Sequence, residues 1–230
     1  MPVLEVMEEL KSLRGSALPH HEVSCDCERC NLAKTLSLEN LRGIIGNENL
    51  GPGIYGPRGW TVMDGITTLT LPYSDWMWPD LARVAPSINA ARMIDYLPYF
   101  GADAWLASRL LDRLPGPSLD ERQNYAPKLE SILKFVCNHW GKALFSGYLI
   151  GPQRFDERLS ADALYVSTDL LGVGIEAEDN PEAAYRALLE HEQLDPEGSP
   201  DEVSLWSAER VHAVGKESGE DSLYWRFWWD

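Results

Sequence analysis

The sequence predicts an α+β protein, with helices in the N-terminal two-thirds and a mostly antiparallel sheet in the C-terminal third. Three observations support this prediction. Residues 75–141 hold several segments in which apolar residues recur with helical spacing. After Gly141 the pattern changes to short runs of branched and aromatic residues, which favour strands. The C-terminal tail holds two further runs of this kind separated by a polar stretch.

The first 50 residues are interpreted as a helical arm, distinct from a main α+β domain over residues 51–230. Apolar residues at helical spacing predict an amphipathic helix over residues 2–14. Ser37 is a candidate cap for a second short helix that ends near Gly46.

Glycine and proline dominate residues 46–59, which predicts a loop at the boundary between the arm and the main domain. Residues 60–73, WTVMDGITTLTLPY, contain β-favouring residues and predict one or two strands with a turn at Asp64-Gly65.

Three segments of the middle region predict helices: SINAARMIDYL, ADAWLASRLLDRL and PKLESILKFVCNHWG. The third begins with Pro127 and ends with Gly141, the usual order of these residues at helix ends.

The C-terminal third predicts four strands and one helix. KALFSGYLIG and DALYVSTDLL are the first two predicted strands. A helix begins at the Asn180 cap, with Pro181 in its first turn, and extends to about Gln193. EVSLWSAERVHAV and SLYWRFWWD are the last two predicted strands, joined by the polar turn KESGED.

Three of the four cysteines, Cys25, Cys27 and Cys30, fall within the stretch HHEVSCDCERC. Thiolate and imidazole groups are the ligands of structural zinc, so these cysteines and His21 predict a metal knuckle with one zinc ion. His20 and Cys137 are alternative fourth ligands. Three reduced thiols without a ligand role, a redox pair and an iron–sulfur cluster remain alternatives.

Other motifs give little support to an enzyme. Gly51, Gly53 and Gly56 match the spacing of a dinucleotide fingerprint, but no strand is predicted before them. The chain has no phosphate-binding loop and no nucleophile elbow. The charged segment around Asp156 and Glu157 is interpreted as a solvated turn, with an acid–base site as the alternative.

The tail SLYWRFWWD predicts a strand with two aromatic faces. Trp225, Phe227 and Trp229 form one face and are predicted to lie in the core. The other face presents residue types that are enriched at binding hot spots, and these are the predicted partner-binding residues: Tyr224, Arg226 and Trp228.

The net charge of −16 bears on the class of partner. It disfavours binding to a nucleic-acid backbone or to an anionic membrane, and it favours a basic protein. No run of 18 apolar residues predicts a membrane span, and the first residues lack the pattern of a signal peptide, so we expect a cytoplasmic protein.

These observations predict an acidic, cytoplasmic, tryptophan-rich protein that acts by stoichiometric protein binding, as inhibitors and immunity proteins do. The alternative is an enzyme or a small-molecule-binding protein, with a tryptophan-lined pocket and a site assembled from scattered residues.

Overall fold

A computed structural model describes residues 52–70, 73–74, 96–152, 154–177, 180–191, 193–208, 210–211 and 222–230. The two helices predicted in the N-terminal arm and the predicted zinc ligands lie outside these residues, as does the polar turn KESGED.

The described residues form short helices and five strands, numbered here in chain order. They are α1 (Trp60–Met63), α2 (Ile66–Thr70), β1 (Tyr96–Ala102), α3 (Ala104–Leu111), α4 (Gly116–Leu119), α5 (Leu129–Asn138), β2 (Ala143–Ile150), β3 (Arg158–Ser167), α6 (Thr168–Leu171), a 3₁₀ turn (Ile175–Ala177), α7 (Pro181–Leu189), β4 (Glu202–Ser207) and β5 (Leu223–Trp228).

The five strands form one antiparallel sheet in the order β1-β2-β3-β5-β4. The last strand in the sequence, β5, is therefore not at an edge: it pairs with β3 on one side and with β4 on the other. Arg226 of β5 lies opposite Tyr165 of β3 and Ser204 of β4. This register decides which side chains share a face of the sheet.

The prediction of a helical N-terminal two-thirds is wrong, because the described part of that region contributes strand β1 and only short helices. The end of the predicted helix SINAARMIDYL is the start of β1. Pro98 explains the error, since the residue before a proline is disfavoured in a helix and favoured in an extended conformation. The aromatic residues around Pro98 also suit a strand.

A second correction concerns residues 60–73, which predict strands but form α1 and α2. The Glu157 carboxylate accepts hydrogen bonds from the N–H groups of Gly59 and Thr61 and from the Thr61 hydroxyl, the last two at 2.8 and 2.6 Å. The Thr67 and Thr70 hydroxyls donate to backbone carbonyls within the same segment. Tertiary and local hydrogen bonds thus override the β-propensity of these threonines.

The other predicted helices and strands of the described region are confirmed in type, with two exceptions: the end of DALYVSTDLL forms helix α6 instead of a strand, and β4 ends at Ser207, before the end of EVSLWSAERVHAV. Helix α3 begins where the Asp103 carboxylate accepts the Leu106 N–H, a standard N-cap. Helix α5 buries Leu129, Ile132, Leu133 and Val136 and packs against α3, whereas Trp140, which the sequence places on the same apolar face, lies beyond the helix and is exposed. Pro181 occupies the first turn of α7, as predicted. Strands β2, β3, β4 and β5 all lie within the predicted segments or extend them by a few residues.

The chain divides into two compact units, Met1–Tyr99 with Leu149–Leu159, and Phe100–Tyr148 with Ser160–Asp230. In the first unit, two loops are joined by the Arg58 guanidinium, which donates two hydrogen bonds to the Pro152 carbonyl at 2.7 and 3.0 Å. The Ile54 N–H donates to the Phe155 carbonyl beside them. In the second unit, the core contains the interface of α3 with α5 and the aromatic residues of β5.

Among the described helices, none combines the length and the apolar character that crossing a lipid bilayer requires.

We expect Glu157→Gln to lower the free energy of unfolding by about 1–3 kcal/mol, because the amide offers one acceptor oxygen and a donor group where three donors converge. Urea denaturation at neutral pH measures the effect. The control is Asp156→Asn, which removes partly exposed ion pairs to Arg154 and Arg158 and should cost less than about 1 kcal/mol. Equal midpoints for the wild type and Glu157→Gln would contradict this account of α1.

Candidate functional site

Strand β5 has two faces with different surroundings. Trp225, Phe227 and Trp229 are at most 1% exposed, which confirms the predicted core face. The opposite face carries a cluster that we call the indole face, defined by five residues on three adjacent strands: Tyr165, Ser204, Trp206, Arg226 and Trp228.

The core face of β5 is covered by α7 and by the loops near it. The Tyr185 ring of α7 lies 6.4 Å from the Phe227 ring, measured between centroids. The Trp229 indole and the Tyr185 hydroxyl both donate to the Gly198 carbonyl. The Trp225 indole donates to the Val173 carbonyl at 2.8 Å. Each buried indole N–H on this face therefore has an acceptor, as stable burial of tryptophan requires.

Arg226 lies at the centre of the indole face. Its guanidinium carbon is 5.1 Å from the ring centroids of both Trp206 and Trp228, within the range of cation–π attraction. One guanidinium nitrogen lies 3.1 Å from a carboxylate oxygen of Glu202, and the Arg226 side chain is 14% exposed. The planar, permanently charged guanidinium suits this half-buried position better than an ammonium group would.

A chain of hydrogen bonds fixes Trp206 on β4. The Trp206 indole donates to the Ser204 hydroxyl at 3.0 Å, and this hydroxyl donates to Glu202 at 2.7 Å. The exposed Arg210 stacks on the Trp206 ring, with its guanidinium carbon 3.8 Å from the ring centroid. The hydrogen bond from Ser204, together with the charge of Arg226, holds the pKa of Glu202 below its usual range. Glu202 is therefore a fixed anion at neutral pH.

Asp162 of β3 is the titratable group of the site. Burial raises its pKa to about 6, opposed by the charge of Arg226 and by a hydrogen bond from the Trp228 indole. Strict alternation along β3 would turn Asp162 away from the face that carries Ala163 and Tyr165. The backbone carbonyl of Asp162 accepts the Trp229 N–H at 2.9 Å, so this residue lies beside the end of β5.

The two tyrosines on this side of the sheet differ from the indoles in exposure. Tyr165 is buried, and this burial raises its pKa despite hydrogen bonding to Ser146 and Arg226. Tyr224 is also buried and donates its hydroxyl to the Gly141 carbonyl at 3.1 Å. Of the three predicted partner-binding residues, Arg226 and Trp228 thus retain accessible surface, whereas Tyr224, opposite Trp206 on the same face, is buried.

The sequence did not predict the remaining residues of the indole face or the charged residues near it: Tyr165, Ser204, Trp206, Asp162, Glu202 and Arg210. The alternation in EVSLWS is visible in the sequence, but only the β4–β5 register places Glu202 and Trp206 beside Arg226 and Trp228.

The predicted metal ligands Cys25, Cys27, Cys30 and His21 lie outside the described residues. The described part of the chain contains no group of three or more His, Cys, Asp or Glu side chains arranged to hold a metal ion. Cys137, an alternative zinc ligand, lies within the described part of the chain. Its side chain is half-buried, and this burial raises the pKa of its thiol.

The charged segment at Arg154–Arg158 is a set of local ion pairs. Asp156 accepts hydrogen bonds from Arg154 and Arg158, and although burial acts to raise its pKa, these bonds hold the pKa below its usual range. Glu157 is buried and is used to cap α1. The acidic groups of this segment therefore have structural partners.

We expect Arg226→Lys to lower the free energy of unfolding by about 1–2 kcal/mol, because the ammonium keeps the charge but loses the planar stacking between two indoles. Thermal or urea denaturation measures the change. The matched control is Arg186→Lys on α7, where an exposed pair with Glu182 should be worth less than about 0.5 kcal/mol. A cost no larger at Arg226 than at Arg186 would refute the stacking argument.

No protein-family model, curated protein or solved structure gives a significant match to this chain.

Proposed function

We propose that this protein acts by stoichiometric binding to a basic protein, which docks on the indole face. The observation that carries the proposal is the arrangement of Trp206 and Trp228 around Arg226 on one sheet face. Tryptophan and arginine are the residue types most enriched at interface hot spots, and both indoles keep part of their surface exposed.

Preorganisation supports the same proposal. Trp206 is fixed by Ser204 and by stacking with Arg210, and Trp228 is fixed by Asp162 and Arg226. Side chains that are already ordered lose little conformational entropy when a partner binds. A rigid aromatic face of this kind is suited to tight and selective binding.

Charge supports a basic partner. The chain has a net charge of −16, and Asp201, Glu202 and Asp230 lie at the end of the β4–β5 pair, next to Trp228. A field of this sign accelerates encounter with a basic protein and opposes nucleic-acid backbones and anionic membranes. We propose a cytoplasmic protein of the inhibitor or immunity type, which acts by covering a functional surface of its partner.

A second candidate function is small-molecule binding or catalysis at the same face. It is favoured by Asp162, a carboxyl group whose pKa is raised by burial and lowered in part by Arg226 and Trp228. Turnover or binding of a metabolite that is lost in Asp162→Asn and retained in Trp206→Ala would favour this function over protein docking.

Affinity capture from the source cells, followed by kinetics with the purified partner, tests the docking proposal. Trp228→Ala is expected to raise the dissociation rate at least about tenfold, because hot-spot side chains set the lifetime of a complex. The double variant Asp201→Asn/Asp230→Asn is expected mainly to slow association, and added salt should reduce this difference.

The matched control is Leu189→Ala on α7, an exposed apolar residue on the helix that covers the opposite face. It should change neither rate. Binding that is unaffected by both Trp228→Ala and Trp206→Ala would refute the docking proposal.

We also propose one structural zinc ion per chain, held by Cys25, Cys27, Cys30 and His21, on the basis of their clustering in the sequence. Elemental analysis of reduced, chelator-free protein should give about one zinc per chain, and Cys27→Ser should abolish it. Metal well below one equivalent, with all four thiols titratable in the folded protein, would contradict this proposal.

A further inference from the structure

Strand β4 lies at one end of the sheet that the described residues form, and β5 is its neighbour on the inner side. It is the one described strand in which no residue is buried, whereas β5 beside it has three buried residues. Residues 203–206 are all partly exposed. The outer edge of β4 is therefore an accessible border of the indole face.

Two hydrogen bonds beside β5 show which backbone groups of β4 point outwards. The Trp229 N–H donates to the Asp162 carbonyl of β3, so the odd-numbered residues of β5 bond to β3 and the even-numbered ones bond to β4. The Ala208 N–H donates to the Ser222 carbonyl, which is the same even-numbered pairing. The even-numbered residues of β4 are thus bonded to β5, and its odd-numbered residues direct their N–H and C=O groups to the outer edge.

The open part of this edge consists of Val203 and Leu205. Beyond them the edge is closed, because the Ser207 carbonyl accepts the Val211 N–H at 3.1 Å. In the described turns and loops, no backbone group bonds to Val203 or Leu205. Two donors and two acceptors are therefore available in a row, which is the template that an additional strand requires.

The charge at this edge favours a basic occupant. The Glu202 side chain is 50% exposed, and Ser204 and Arg226 both contact its Oε1 atom. Its Oε2 atom has no partner among the described residues. Asp201 next to it is exposed, and the chain carries a net charge of −16. A guanidinium from an added strand can therefore form a charge-assisted hydrogen bond to Glu202.

The two faces of β4 determine the residue pattern of an added strand. On the indole face its side chains would lie beside Glu202, Ser204 and Trp206, where a carboxylate and an indole suit basic groups. On the opposite face they would lie beside Val203 and Leu205, whose partly exposed side chains suit apolar groups. The matching segment alternates basic and apolar residues.

We propose that an extended segment of the basic partner adds a strand to the outer edge of β4, with basic side chains on the indole face and apolar side chains on the other. This inference rests on the proposed docking function and names its recognition mode. Backbone hydrogen bonds to Val203 and Leu205 supply affinity, and the alternating side chains supply selectivity. A second copy of the chain is a poorer occupant, since its own charge of −16 opposes the pairing.

Amide hydrogen exchange in the free, full-length protein tests whether the edge is open. The Val203 and Leu205 amides should exchange at least about tenfold faster than those of Ser204 and Trp206, which are bonded to β5. Equal protection of all four amides would show that the edge is already covered and would overturn the proposal. A dimer that sediments as such and dissociates in Leu205→Pro would also overturn it, because a second copy would then be the occupant.

The binding probe is a capped peptide of alternating arginine and valine, about as long as β4. Its control carries N-methylvaline in place of valine, which keeps the charge but removes the donors that would face Val203 and Leu205. The unmethylated peptide should bind at least about tenfold more tightly and should slow exchange of both amides. Absence of binding, or equal affinity for the two peptides, would overturn the proposal.

Proline substitution separates the backbone contribution from that of the side chain. Proline is tolerated on an edge strand where the missing N–H would face outwards, so Leu205→Pro removes one outer donor and leaves the bonds to β5 intact. Leu205→Ala is the matched control, because it loses the leucine side chain but keeps the donor. Peptide affinity should be at least about tenfold lower in Leu205→Pro than in Leu205→Ala.

Val203→Pro and Val203→Ala repeat this comparison at the second open residue. Circular dichroism establishes that each variant is folded. If both proline variants fail to fold, the protection of the wild-type Val203 and Leu205 amides by the peptide decides the question.

The variants also separate strand addition from docking on the indole face. Peptide binding that weakens in Trp206→Ala but is equal in Leu205→Pro and Leu205→Ala would refute strand addition and retain the indole face. Peptide binding that weakens in Leu205→Pro and is unaffected by both Trp206→Ala and Trp228→Ala would support strand addition and refute the indole face.

Discussion

Strand β5 carries aromatic side chains on both of its faces, and it lies inside the sheet because it pairs with β3 on one edge and with β4 on the other. This constraint determines how the second unit is built. One face is sealed by α7, and its indole N–H groups are satisfied by backbone carbonyls. The other face is filled by polar and aromatic residues that satisfy one another instead. A single strand therefore contributes both to the core and to the candidate site.

Desolvation of its charged groups makes the indole face energetically unfavourable. It places a guanidinium and a carboxylate at a half-buried position, where desolvation opposes both charges. The Arg226 Nε–H is buried and has no hydrogen-bond partner in the part of the chain that the structure describes. An apolar side chain at this position would avoid both penalties. Retention of polar and incompletely satisfied groups where stability alone would favour apolar ones is typical of functional sites.

Prediction from the sequence succeeded where a local residue pattern determines the secondary structure. Helices with an apolar face and a proline at or near their start, such as α5 and α7, were predicted, as was the division of β5 into Trp225 and Arg226 faces. Prediction failed where a residue far along the chain determines the local conformation. Glu157, far along the chain, converts a threonine-rich segment into helices, and Pro98 marks the start of β1 rather than the end of a helix.

For the same reason, only part of the site could be predicted from the sequence. Arg226 and Trp228 were found because both lie on one strand, and alternation along a strand is readable from sequence. Trp206 and Glu202 required the inter-strand register, which depends on the three-dimensional pairing of β4 with β5. Asp162 likewise required the three-dimensional pairing of β3 with β5, which brings it near the charge of Arg226.

The hydrogen bond that caps α1 joins residues 98 positions apart, since the Gly59 N–H donates to Glu157. This separation has a consequence for the order of events during synthesis. Residues 60–70 leave the ribosome long before their capping carboxylate exists, and their composition favours extended structure in the meantime. Closing so long a loop is slow compared with forming a local helix. The nascent segment is therefore prone to strand pairing with other chains until Glu157 has been synthesised. Protection by a chaperone would matter most between the synthesis of residues 60–63 and the synthesis of Glu157.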